Sequence, residues 1–196
     1  MKEWGSMKNR LVAKGSYGYI RNQRMMAAVR TLLFFGVSIG LYAMGYMTTG
    51  SNRNLLTIVA VLGCLPACKS LVNLILFLKA EGCSEALENK VSAYDAKLLT
   101  FYDMYFTSYQ KNYAISHMAL KGNVLCGMTE TAKCDCNAAE KHLEQMLSQE
   151  GIRNITVKIF DNADKYIDRL GQIMDLDTVE SKSQGQIVDL LYSISI

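Results

Sequence analysis

Three groups of residues could carry chemistry by type and spacing. The first is soft: Cys134-x-Cys136, with Cys126, His117 and His142, offers enough thiolate and imidazole donors for a tetrahedral zinc ion. Structural zinc sites are usually built from two C-x-x-C-like pairs, and a C-x-C that opens a helix lacks that spacing, so no metal and no cofactor are expected. A helix N-terminus lowers a thiol pKa, which makes Cys134 and Cys136 the candidates for reactivity. The second group is acidic. Asp103 and Glu130 with Lys133 would suit a divalent-metal hydrolase only if all three met in one cleft. The third is Lys69, which interrupts an apolar run with Pro66 and Asn73 on neighbouring turns. A lysine in such a run is a functional candidate by default. No Walker motif, G-x-G-x-x-G, H-E-x-x-H, G-x-S-x-G or EF-hand loop is present.

The elements that must position these residues fall into two halves of opposite charge. Of 196 residues, the first 80 carry ten Lys or Arg and only Glu3, while residues 81–196 carry eleven against seventeen Asp or Glu. Half the residues are hydrophobic and Pro occurs once, which excludes a disordered or collagen-like chain. No charge occurs in residues 31–52, and a second apolar run over 55–78 holds only Lys69. The apolar core 31–47 approaches the roughly 20 residues that cross a 30 Å hydrocarbon core once Ala27, Ala28 and Val29 are added, and the second run exceeds them. The spacing predicts a two-helix transmembrane hairpin, residues 27–80, with spans 27–48 and 55–78. A cleaved signal peptide does not fit a long basic lead followed by two spans.

Lys8, Arg10, Lys14, Arg21, Arg24 and Arg30 precede the first span, whereas the turn has only Arg53. The positive-inside rule then puts both termini in the cytoplasm, at the cell inner membrane. The six cysteines show no secreted-scaffold spacing, in keeping with a reducing compartment. The basic segment 1–26, with Arg21, Arg24 and Arg30 near the bilayer, predicts contact with anionic lipid headgroups, the nearer polyanion, rather than nucleic acid. Gly36 and Gly40 form a G-x-x-x-G pair, read as packing against the second span ahead of self-association. Fourteen residues from Leu55 put Lys69 about 21 Å into the bilayer, within reach of the inner interface by snorkelling.

Residues 81–196 predict a cytoplasmic α+β domain in the order α-β-β-β-α-β-α, with an uncertain last element. Ser84 opens a short helix, and the aromatic stretch 101–109 reads as a strand. Lys121-Gly122-Asn123 between alternating apolar runs marks a hairpin of strands 113–120 and 124–129. Asp135 and Gly151 bracket an amphipathic helix. A strand, NITVKIFD, and a helix, DKYIDRLGQIM, follow, and IVDLLYSISI ends the chain as an apolar element able to pair as a strand.

That order, with ISHMALKGNVLCGMTETAK as its hairpin, resembles the core of restriction-endonuclease-like folds. In that family an Asp leads the second strand and a Glu-x-Lys lies on the third. Here Ser116 takes the Asp place, and Glu130 and Lys133 are one residue too far apart. The resemblance therefore implies a fold or an inactive relative. The whole chain also resembles uncharacterised bacterial two-span membrane proteins with an LPACK-like stretch and a C-terminal α/β domain, which bring no activity with them. The expectation is a membrane-anchored binding, scaffolding or regulatory module acting on a protein partner or itself. A membrane-tethered metal-dependent nuclease-like hydrolase is the alternative.

Overall fold

The computed structural model describes residues 12–51, 54–108, 111–176 and 183–196. These form six α-helices and a four-stranded mixed sheet, an α+β protein. Two compact units emerge: residues 20–80, and residues 12–19 together with 81–196.

The first unit is an antiparallel pair, α1 (Tyr19–Thr49) and α2 (Leu55–Lys79). Both are long and apolar enough to cross a membrane. Helix α1 starts at Tyr19, so Arg21, Arg24 and Arg30 are helical residues rather than part of a separate lead. The turn is held by Asn54, whose Oδ1 accepts from the Thr57 amide at 2.8 Å while Nδ2 donates to the Gly45 and Ser51 carbonyls. Both side-chain functions of one N-cap residue are thereby satisfied.

In the second unit, α3 (Glu85–Val91) is capped by Ser84 and ends in a short 3-10 turn, Ser92–Tyr94. Strands β1 (Leu99–Thr107), β2 (Asn112–Lys121) and β3 (Val124–Met128) form an antiparallel meander, and β4 (Thr156–Phe160) joins β3 in parallel, giving the order β1-β2-β3-β4. The tight β2–β3 turn needs the positive φ of +57° that Gly122 supplies. Helix α4 (Cys136–Gln149) is capped by Asp135 and stopped at Gly151, which has φ +76°. Asn162 caps α5 (Ala163–Met174), and α6 (Ser183–Ile194) follows. The last element, left open and able to pair as a strand, is a helix: Ile187 and Leu191, four apart, bury one stripe against the sheet, and Ser195 bridges to Phe106.

Two cores occupy the two faces of the sheet. Phe101, Phe106, Ile115, Met118, Leu125, Val157 and Ile159 pack with α4 and α6, while Tyr102, Ala119, Cys126 and Met128 pack with α3 and α5. Strict alternation would put Phe101 and Met104 on opposite faces, as it would Ile115 and Met118. All four lie in one core. The phase reverses at Asp103, with φ +56°, and at Ser116 opposite it. One extra residue in each strand preserves the register, Tyr102 to His117 and Met104 to Ile115.

The outer edge of β1 is also covered. The Tyr102 amide donates to the Gly15 carbonyl at 2.7 Å, and the Ile196 amide donates to the Tyr105 carbonyl at 3.0 Å. Lys14 Nζ ties the two covering segments together by donating to the Tyr192 and Ser195 carbonyls at 2.8 and 2.6 Å. Such covering blunts an edge that would otherwise recruit another strand.

Candidate functional site

In the helical pair, small and hydroxyl-bearing residues face inward and large apolar ones outward. Ala27, Thr31, Ser38, Ala60, Ala67 and Ser70 are buried, whereas Met47, Leu55 and Leu32 are 84%, 76% and 74% exposed. Thr31, Ser38 and Gly45 recur every seventh residue, as do Ala60 with Ala67 and Gly63 with Ser70, the repeat that keeps one seam against a partner helix. Thr31 Oγ1 and Ser70 Oγ meet at 2.9 Å across the seam. A Cβ on Gly63 would come within 2.8 Å of Ser38 Oγ. By contrast, nothing lies within 4 Å of a Cβ built on Gly36 or Gly40. The expectation that this glycine pair packs against α2 is therefore corrected: it lies round α1, away from the seam.

Arg24 faces the seam, its Nε donating to the Phe77 carbonyl at 2.7 Å and its Nη2 to the Ala80 carbonyl. It closes the C-terminal end of α2, whose last carbonyls lack helical donors, and is not the free headgroup ligand expected. Arg21, Arg30, Pro66, Lys69 and Asn73 are all exposed. Trp4, Lys8 and Arg10 lie outside the described residues.

In the α+β unit the two expected carboxylates converge, on backbone donors. Asp103 is 3% exposed, and its Oδ1 accepts from the Cys83 amide at 2.7 Å. Glu130 accepts from the amide and hydroxyl of the next residue, Ser84, at 2.8 and 2.6 Å. Ser116 Oγ accepts from the Glu130 amide at 3.3 Å. Glu81 Oε2 accepts from the Thr131 hydroxyl at 2.7 Å. These acids fasten the segment 81–84 to the sheet. Burial, reinforced by Glu130, Asp103 and Glu88, pushes the Cys83 thiol up to about 12. Lys133 is exposed.

The soft residues are dispersed. Cys126 is buried in the core under α5, whereas Cys134 and Cys136 flank the opposite core. Among the described residues no three His, Cys, Asp or Glu side chains are placed to hold a metal ion. Burial pushes the thiols of Cys134 and Cys136 up, further from the thiolate that reactivity requires. This corrects the expectation from their place at the start of α4. His142 stacks on Tyr113 with ring centroids 5.5 Å apart and lines an open hollow with Thr107 and Met146.

A polar group that sequence spacing does not reveal sits inside the α3–α5 core. His117 and Tyr166 are fully buried, with Nδ1 and the phenol oxygen 2.7 Å apart. The Tyr102 hydroxyl donates to Asp95 Oδ2 at 2.7 Å, and its ring meets His117 edge-on at 4.6 Å. His117 Nε2 has no hydrogen-bond partner, and Asp95 Oδ1 lies 3.7 Å from it. Burial lowers the His117 pKa to about 4 despite the Asp95 charge, and burial raises both tyrosines. All three rings are neutral at pH 7, so they form a hydrogen-bonded post rather than an acid–base pair. His117 and Tyr166 stand 49 residues apart and share no motif.

Comparison with protein-family models, curated proteins and solved structures finds no match. The chemistry must be read from the side chains alone. Both carboxylates of the hydrolase reading are engaged by main-chain amides, and the one buried histidine is sealed from solvent.

Proposed function

We propose that the protein is a membrane-anchored module: the helical pair is a two-span anchor, and the α+β unit, on the cytoplasmic face, binds, scaffolds or regulates a protein partner. The observation that carries this reading is the inside-out hairpin, with hydroxyls, Ala and Gly in the seam and Leu, Ile and Met around it. In water this arrangement would expose far more apolar surface than a soluble pair tolerates. In lipid it is the packing that lets two backbones approach.

Topology has its own support. Lys14, before α1, hydrogen-bonds Ser195, after α2, so the segments flanking the hairpin belong to one folded unit. An even number of crossings satisfies that constraint. Lys8, Arg10 and Lys14 before α1 and Arg21, Arg24 and Arg30 in its first twelve residues, against Arg53 in the turn, favour a cytoplasmic unit.

The nuclease-like alternative rests on a resemblance alone: the helix, three strands, helix, strand order is similar to that of restriction-endonuclease-like cores. The engagement of Asp103 and Glu130 speaks against turnover. Cysteine labelling of intact cells tests the anchor. A cysteine at Ser51 should react with an impermeant reagent, and one near Ile196 should react only after lysis. Labelling at Ile196 with Ser51 silent, or release of the protein by alkaline carbonate, overturns it. Metal-dependent nucleic-acid cleavage abolished by Asp103→Asn would favour the alternative.

A further inference from the structure

The contact between Thr31 and Ser70 fixes more than the seam. Arg30 and Lys69 each precede one member of that pair, so each lies about 100° round its own helix from the contact. In an antiparallel pair the local two-fold axis through the contact carries one of these positions onto the other. Both side chains therefore fall on the same side of the hairpin, within roughly 3 Å of one level at a rise of 1.5 Å per residue. Asn73, four residues beyond Lys69, adds an amide one turn along the same face. The opposite side at this level carries Leu32 and Leu71, which follow the contact pair. Arg21 falls on that second side, ten residues before Thr31. The same construction turns Arg24 into the seam, where it is found bonded to Phe77 and Ala80. It also turns Gly36 and Gly40 outward, as observed.

Resting on the membrane reading above, we infer that Arg30, Lys69 and Asn73 form a one-sided seat for the phosphate of an anionic phospholipid at the inner boundary of the bilayer. Both cations are exposed, and among the described residues no carboxylate pairs with either. An arginine fork, an ammonium and an amide donor supply complementary hydrogen bonds to phosphate oxygens. The level is also right. Residues 55–69 of α2 rise about 21 Å, and the reach of a lysine side chain completes most of a 30 Å hydrocarbon core.

The test uses the full chain in vesicles of mixed phosphatidylcholine and phosphatidylglycerol. Electron spin resonance of spin-labelled lipids reads how strongly each is held at the protein. The wild type should hold phosphatidylglycerol in preference. Arg30→Gln and Lys69→Gln should each lower that preference about fivefold, the worth of one interfacial charge. Lys69→Arg should keep it, and Arg21→Gln should leave it near the wild-type value. Three results overturn the seat: an unchanged preference in Lys69→Gln, an equal loss in Arg21→Gln, or displacement of the lipid by inorganic phosphate. Protein that fails to stay with vesicles of any composition refutes the anchor instead, which separates the two readings.

Discussion

Replacing His117 by glutamine should remove a specific band of acid sensitivity from the α+β unit. In the folded protein His117 is held at about 4, because burial penalises the imidazolium more than Asp95 favours it. The unfolded chain titrates this residue near 6.5. Between those values the unfolded state binds the extra proton, so stability is fully present above 6.5, falls as pH drops, and stops falling below about 4. At 1.36 kcal/mol per pH unit the whole loss is about 3 kcal/mol, of which about 2 kcal/mol comes between pH 6.5 and 5. With a urea dependence of 1–3 kcal/mol/M, that portion lowers the unfolding midpoint by about 1 M. Urea titration of the reconstituted full chain, followed by tyrosine near-ultraviolet dichroism, measures it. Glutamine can still pair with the Tyr166 hydroxyl but does not titrate, so His117→Gln should lose this part of the slope and keep the part due to carboxylates and His142. Equal slopes in the two proteins would refute the burial argument.

Three other substitutions probe separate contacts. Gly63→Leu should split the seam at Ser38 and lower the abundance of membrane-inserted protein, whereas Gly36→Leu, into open space, should not. Gly127→Ala would bring a Cβ within 2.8 Å of Ile159 Cδ1 and 3.0 Å of Ile115 Cγ2, an overpacking that should cost about 1–3 kcal/mol in urea unfolding. Asp103→Asn with Glu130→Gln removes two charges that help to hold the Cys83 thiol up, and should speed its alkylation at pH 8 severalfold. An unchanged rate would mean that burial alone protects it.

Periodicity made much of the architecture legible. The apolar runs, the Gly122 turn and the Asp135 and Gly151 stops each depend on residues a few positions apart, and such local signals survive folding unchanged. What depended on pairing was not legible. G-x-x-x-G stands out by eye, yet the seam follows the seven-residue repeat of Thr31, Ser38 and Gly45, which only a partner helix selects. The strand reading of 101–109 agrees with β1 over 101–107, Tyr109 lying outside the described residues, but the reversal at Asp103 needs a positive φ in an aspartate, and no composition rule announces it. The tail SISI alternates like a strand, while Ile187 and Leu191 commit the preceding residues to a helix because their stripe finds the sheet. The acidic candidates were singled out for a metal cleft, which is not the use the fold makes of them. Their engagement with the amides of Cys83 and Ser84 is a property of where the chain re-enters the fold.

The lysine that fastens residue 14 to residue 195 closes a contact across 181 positions, with consequences for the newborn chain. At 5–20 residues per second the ribosome needs about 9–36 s to make the second half of that contact after the first. Until then the edge of β1 is uncovered and the meander can pair with a neighbour. On the membrane reading proposed above, insertion of the hairpin would fall inside the same interval and tether the unfinished sheet to a surface. On that reading the anchor would slow and orient the encounters of nascent edge strands during the seconds in which they are most adhesive.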